Sequence, residues 1–279
     1  MSTITDIFSS TSARDESKPA SDNTGLVIFR SDNKAIEVSD GTAYQTYNSD
    51  GVFLPWTANT YSLDFDGTND YLGIGSNSKL EFTSSFSLSA WVKPDLNKTQ
   101  YVIDTATSAN TGNGYMLRCN SNGTVRFWSY SANASLDSTA TVSTSSWNHL
   151  VAVKDGSTLR LYINATTPVT RTDSSFNTSN TANLRIGSSS LLGGYFNGLI
   201  DEVSMYNYAL TGSNVSSIYS SGSPDDLTSF TPVAHWRMGD SDEGAGSAVT
   251  DVSSIGGADA TMNNFVSPHG FVSGAGNTP

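Results

Sequence analysis

Phe86-Ser87-Leu88-Ser89-Ala90-Trp91-Val92-Lys93-Pro94 alternates apolar with small or polar residues at period two, and Pro94 ends the run. Successive side chains of a strand point to opposite faces, so the pattern reads as a half-buried β-strand. Runs of the same kind lie on both sides of it. Upstream are Tyr61-Ser-Leu63-Asp-Phe65, turned by Asp66-Gly67, and then Tyr71–Ile74. Downstream are Tyr101–Ile103, Tyr115–Leu117, Val125–Trp128, His149–Val153, Leu159–Ile163, Leu184–Ile186 and Leu199–Met205. Asp155-Gly156 supplies a tight turn between two of these runs. Short strands at this density, joined by polar turns, predict an all-β sandwich or barrel. One helix is expected, capped by Thr211, with Val215, Ile218 and Tyr219 on one face and Gly222 at its end.

The 279 residues suit one large all-β domain with appended segments, or two small domains. Charged residues are only 14 %, and aromatic residues, at 10 %, are enough to fill a sandwich core. The net charge of −12 repels phosphate backbones and anionic bilayers, which argues against nucleic-acid and membrane partners. No run approaches the roughly 20 apolar residues of a membrane span. The single cysteine, Cys119, excludes an intramolecular disulfide and reads as a small buried hydrophobe. Met1–Lys18 lacks the apolar core of a signal peptide, so synthesis in a cytosol is expected, with release by lysis inside a virus particle as one route out.

The chain divides into five stretches on this reading. Residues 1–24 are a polar arm. Residues 25–54 form a β-hairpin meander too small to bury a core alone, and so are assigned to assembly. Residues 55–222 carry the alternating strands, and 223–231 form a connector. Residues 232–279 are expected to complete the same sandwich.

Four motifs carry a family resemblance. Ser62–Tyr71, Phe86–Pro94, Trp147–Val153 and Gly198–Leu210 resemble, in order, the strands of laminin-G-like, concanavalin-A-like jelly rolls. The resemblance implies a two-sheet antiparallel jelly-roll sandwich. In such domains the pattern now at Val233–Met262 precedes the first of these motifs, which implies circular permutation. Phe65, Tyr71, Trp91, Trp147, Val203 and Met205 are expected to point between the sheets. The resemblance also implies calcium joining the Asp66 turn to Asp201. Gly25–Tyr47 and Phe230–Asn264 are similar to segments of tailed-bacteriophage virion proteins. That similarity implies a virion structural protein, displayed on capsid or tail, with other virion proteins as partners and a homo-oligomer, a trimer, built through residues 1–50. The alternative is a carbohydrate-binding module of a bacterial surface or polysaccharide-processing protein.

No catalysis is expected. Glycoside hydrolases of this fold need two carboxylates sharing one strand face, at positions i and i+2. Asp201 and Glu202 are adjacent, which aims them at opposite faces. His149, His235 and His269 have no nucleophile motif near them. Binding of host surface carbohydrate, with Tyr130, Tyr195 and Tyr206 as stacking candidates, stands beside a purely structural role with no ligand.

Overall fold

The computed structural model describes residues 27–30, 35–39, 44–47, 53–54, 59–96, 98–105, 114–130, 133–176, 183–224, 226–242, 244–266, 269–274 and 278–279. The chain separates into two compact units, residues 1–58 and 59–279. In the first, β1 (Val27–Arg30), β2 (Ala35–Ser39), β3 (Tyr44–Tyr47) and β4 (Phe53–Leu54) pair in sequence as an antiparallel meander. The arm at residues 1–24 lies outside the described residues. So do the meander side chains on which a trimer would depend.

The second unit is a sandwich of two antiparallel sheets. Its strands begin with β5 (Tyr61–Asp66), β6 (Tyr71–Gly75), β7 (Phe86–Pro94), β8 (Gln100–Asp104), β9 (Tyr115–Cys119) and β10 (Thr124–Ser129). They continue with β11 (Ala134–Thr141), β12 (Asn148–Asp155), β13 (Thr158–Ile163), β14 (Val169–Thr172), β15 (Leu184–Ile186) and β16 (Asn197–Tyr206). After helix α1 (Gly212–Tyr219) come β17 (Ala234–Trp236), β18 (Ala248–Val249), β19 (Ala260–Asn263) and β20 (Gly270–Ser273). One sheet runs β11-β10-β9-β8-β15-β6-β19-β18. The other runs β14-β13-β12-β7-β16-β5-β20, with β17 added to the second half of β16. The C-terminal strands therefore lie in both sheets: β19 pairs with β6 and β20 with β5.

Period-two patterning places the core. Phe86, Leu88, Ala90 and Val92 of β7 point inward, with Phe65, Leu117, Phe127, Leu150, Val203, Met205 and Trp236, all fully buried. Cys119 is in this core, where burial pushes its thiol up to about 12. Trp91 has the opposite parity and so leaves the inter-sheet space. It lies on the outer face of the second sheet, stacked at 5.0 Å on His149 and 5.6 Å on Tyr219 of α1. The helix covers that face, burying Val215 and Ile218 against Val151, Val153 and Tyr206. Its N-terminus is a capping box: Thr211 Oγ1 accepts from Asn214 N–H, and Asn214 Oδ1 accepts from Thr211 N–H. The helix ends at Ser220, in the left-handed region, two residues before Gly222. Tyr71 and Trp147 are likewise outside the inter-sheet core, both half-buried.

Candidate functional site

The outer face of the sheet β11-β10-β9-β8-β15-β6-β19-β18 gathers aromatic and arginine side chains by register alone. Asp137, Arg126, Arg118 and Tyr101 stand opposite one another across β11, β10, β9 and β8. Ser135, Trp128, Met116, Asp104, Arg185, Gly73 and Thr261 form a second cross-strand row. Partners in each row are about 4.8 Å apart, one strand spacing. Tyr101 and Asp104 are three apart in sequence, which strict alternation would send to opposite faces. A register shift between Tyr101 and Ile103 brings them to the same one.

The side chains of these rows hold each other in place. Arg126 donates bidentately to Asp137, at 2.6 and 2.9 Å. Arg118 lies 5.8 Å from the Tyr101 ring centre and 5.7 Å from that of Trp128. Its Nε donates to Asn120 Oδ1 at 2.9 Å and its Nη1 to the Tyr101 hydroxyl at 3.3 Å. Trp128 stacks on Tyr130 at 5.1 Å, and the Tyr130 hydroxyl donates to Asp104 Oδ2 at 2.5 Å. Arg185 sits 4.1 Å above the Tyr71 ring. The stretch Ser188–Tyr195 borders this face. Gly194 must be glycine there, because a Cβ would approach the Tyr101 ring to 2.6 Å and φ is +74°. Leu191 and Leu192 of the same stretch are exposed, at 40 % and 45 %. Aromatic rings beside forked hydrogen-bond donors suit a sugar, whose ring faces are apolar and whose rim is polar.

Of the tyrosines expected to stack on sugars, Tyr130 lies on this face but is fully buried. Tyr195 is in the bordering stretch. Tyr206 is elsewhere, sealed beneath α1. The remaining residues, Arg118, Arg126, Trp128, Arg185, Tyr71 and Tyr101, escaped sequence reading. Their signal was present: each sits at an outward position of a strand whose alternate residues are apolar.

Asp66 and Asp201 do not meet. Asp66 pairs with Asn197, four residues before Asp201 on β16, so the two are about 13 Å apart at roughly 3.3 Å per residue. Ligand oxygens of one calcium ion lie 2.3–2.6 Å from it, so no ion joins the pair. Asp66 Oδ1 accepts the N–H groups of Thr68, Asn69 and Asp70 and so closes its own turn. Burial works against its charge, but these donors outweigh it and hold the carboxyl below the usual range.

Asp201 belongs instead to a buried charged cluster. Asp201 and Glu202 were expected on opposite faces. The structure corrects this: a β-bulge between Asp201 and Ser204, with Glu202 at φ +45°, turns both carboxylates towards Asp240. Glu202 accepts from His235 Nε2 at 2.5 Å and from Arg237 Nε at 3.0 Å. Asn59 Nδ2 bridges Asp201 and Glu202 at 2.9 and 3.0 Å. Burial opposes ionisation of Glu202, but His235 and Arg237 outweigh it and keep its carboxyl below the usual range. Burial, and then the charge of Glu202, drive the Asp201 carboxyl well above it. The two side chains are 0 % and 2 % exposed, and the cleft lined by Ser89, Trp91 and Glu202 has no room for water. A sugar cannot reach these carboxylates, and Glu202 is already paired with Arg237. The cluster ties Asn59, β16 and the C-terminal segment together.

Comparison with known proteins supports the fold. The family described as the concanavalin A-like lectin/glucanases superfamily matches residues 66–216, more than half of the chain. No curated protein matches in sequence. A proposed carbohydrate-binding protein from Bacteroides ovatus superposes with a TM-score of 0.60 at 15 % identity, over 86 % of this chain and 68 % of that one. A SAP-like pentraxin from Limulus polyphemus gives 0.46 at 18 % identity, over 57 % and 82 %. A carbohydrate-binding module of the Ruminococcus gnavus IT-sialidase, bound to α2,3-sialyllactose, gives 0.45 at 14 % identity, over 58 % and 98 %. At these identities the likeness is one of fold.

Proposed function

Since the chain belongs to the concanavalin A-like lectin/glucanases superfamily, we propose that it is a non-catalytic adhesion protein that binds glycans on the outer face of the sheet that runs from β11 to β18. The cross-strand rows of Arg118, Arg126 and Trp128, backed by the buried Tyr101, carry this reading, because they hold aromatic and hydrogen-bonding groups in fixed register on rigid strands. The setting we favour is a tailed-virus particle, on the similarity of Gly25–Tyr47 and Phe230–Asn264 to virion segments. A carbohydrate-binding module of a bacterial surface protein shares the same chemistry, and the fold of the Bacteroides ovatus protein favours it as the second reading. Labelled antibody on purified particles separates the two settings.

A glycan array probed with the purified chain tests the binding itself. Trp128→Ala removes the ring that backs both Arg118 and Tyr130, and is expected to weaken the strongest array signal by about tenfold, as loss of an aromatic anchor does. An unchanged signal would move the site off this face. A chain that binds no glycan would remove the proposal.

A further inference from the structure

The chain carries a net charge of −12, yet three arginines stand on this one sheet face. They are not equivalent. Arg126 is neutralised by its bidentate partner Asp137. Arg118 and Arg185 have no carboxylate partner among the described residues. Each is instead laid against aromatic rings, Arg118 by Tyr101 and Trp128, Arg185 by Tyr71. A guanidinium has five N–H donors. Arg118 spends two on Asn120 and the Tyr101 hydroxyl, and Arg185 spends none on the described residues. Both are half-buried, so their stems are held while donors remain unspent.

The surroundings of Arg185 favour a ligand. Gly73 is its cross-strand neighbour. A Cβ at Gly73 would come within 3.2 Å of Asn263 Nδ2 and 3.6 Å of the Tyr71 ring, so the glycine keeps the floor beside the guanidinium low. Asp104, the neighbour on the other side, is 1 % exposed and holds the Tyr130 hydroxyl. Arg118 and Arg185 stand on β9 and β15, two strand spacings apart across the sheet and two residues apart along it, or about 12 Å. An unspent planar fork matches a carboxylate or sulfate far better than a sugar hydroxyl. A general attraction for acid groups is absent from so acidic a chain, so any preference for them must come from these local positive groups.

We propose that the glycan taken by this face bears acidic groups, and that Arg118 and Arg185 hold its carboxylate or sulfate oxygens; the inference rests on the glycan-binding reading above. Affinity electrophoresis of the full chain through four polymers tests it: polygalacturonate, its methyl-esterified form, dextran sulfate and dextran. Retardation by at least one acidic polymer is expected to be about tenfold stronger than by its neutral counterpart, and to weaken as salt rises. Whichever acidic polymer is bound tighter names the anion. Arg118→Gln with Arg185→Gln should bring the acidic polymers to the neutral level. Arg160→Gln, which removes an arginine paired with Asp155 on the other sheet, should change nothing. A cooperative thermal transition in the double variant shows that it folds. If it does not fold, the Arg→Lys pair replaces it and should lose most of the preference for polygalacturonate, since an ammonium lacks the fork. Equal retardation by acidic and neutral polymers overturns the acidic preference while leaving glycan binding in place. No retardation by any polymer overturns both.

Discussion

Truncation after Thr231 is expected to leave no cooperatively folded sandwich. The lost segment supplies β17 to β20, and with them the partners of β16, β6 and β5. Three strand edges would lie open, and open edges recruit other chains. The segment also supplies Val233, Trp236, Met238, Val249 and Ala260 to the core between the sheets. Trp236 is the largest of these, fully buried, and its Nε1 donates to Ala258 O at 2.8 Å. Trp236→Ala in the intact chain should cost about 3–5 kcal/mol, the usual range for emptying such a site. Urea unfolding measures the substitution, and solubility with circular dichroism measures the truncation. A soluble truncated chain with an unchanged melting temperature would show that the segment is not part of the sandwich.

Glu202→Ala is the single substitution with the next largest expected effect outside the core. It would leave Arg237 and His235, 6 % and 4 % exposed, without their shared carboxylate. Removing one member of a buried ion pair costs about 3–5 kcal/mol, because the desolvated charge that remains loses its closest partner; Arg237 would keep Asp240, 3.5 Å from its Nη2. Glu202→Gln keeps the shape and a hydrogen-bond acceptor, and should cost less. Denaturant midpoints of the three chains read the order directly. A loss below about 1 kcal/mol for the alanine variant would mean that water reaches the cluster and that the C-terminal segment is not locked by charge.

The pattern of alternation made most of the fold legible. Phe86, Leu88, Ala90 and Val92 read as one face, and they form one face of the core. Asp66 reads as a turn residue, and it closes its turn with three backbone donors. Thr211 reads as a cap, and it caps. The failures share a cause. Alternation says which residues share a face but not which face is inside, so Trp91 and Tyr71 were placed between the sheets. Helix α1 gives Trp91 a second apolar layer, and Arg185 gives Tyr71 a polar one. Bulges break the parity altogether. The shift in β16 has no glycine or asparagine at Glu202 to announce it, and its partners His235 and Arg237 are more than 30 residues away. The shift in β8 hid the fact that Tyr101 shares a face with Asp104. The candidate site was illegible for the same reason, since it is assembled from four hairpin-related strands plus β15 and β6, whose order no single run of residues states.

A crystal structure of the chain grown with its strongest-binding array glycan tests the central claim most directly. Sugar density is expected on the outer face of the sheet that runs from β11 to β18, against Trp128 or Tyr71, with sugar oxygens within hydrogen-bond distance of Arg118 or Arg185. Sugar bound instead at the Asp66–Asp70 turn, or on the sheet covered by α1, would contradict it.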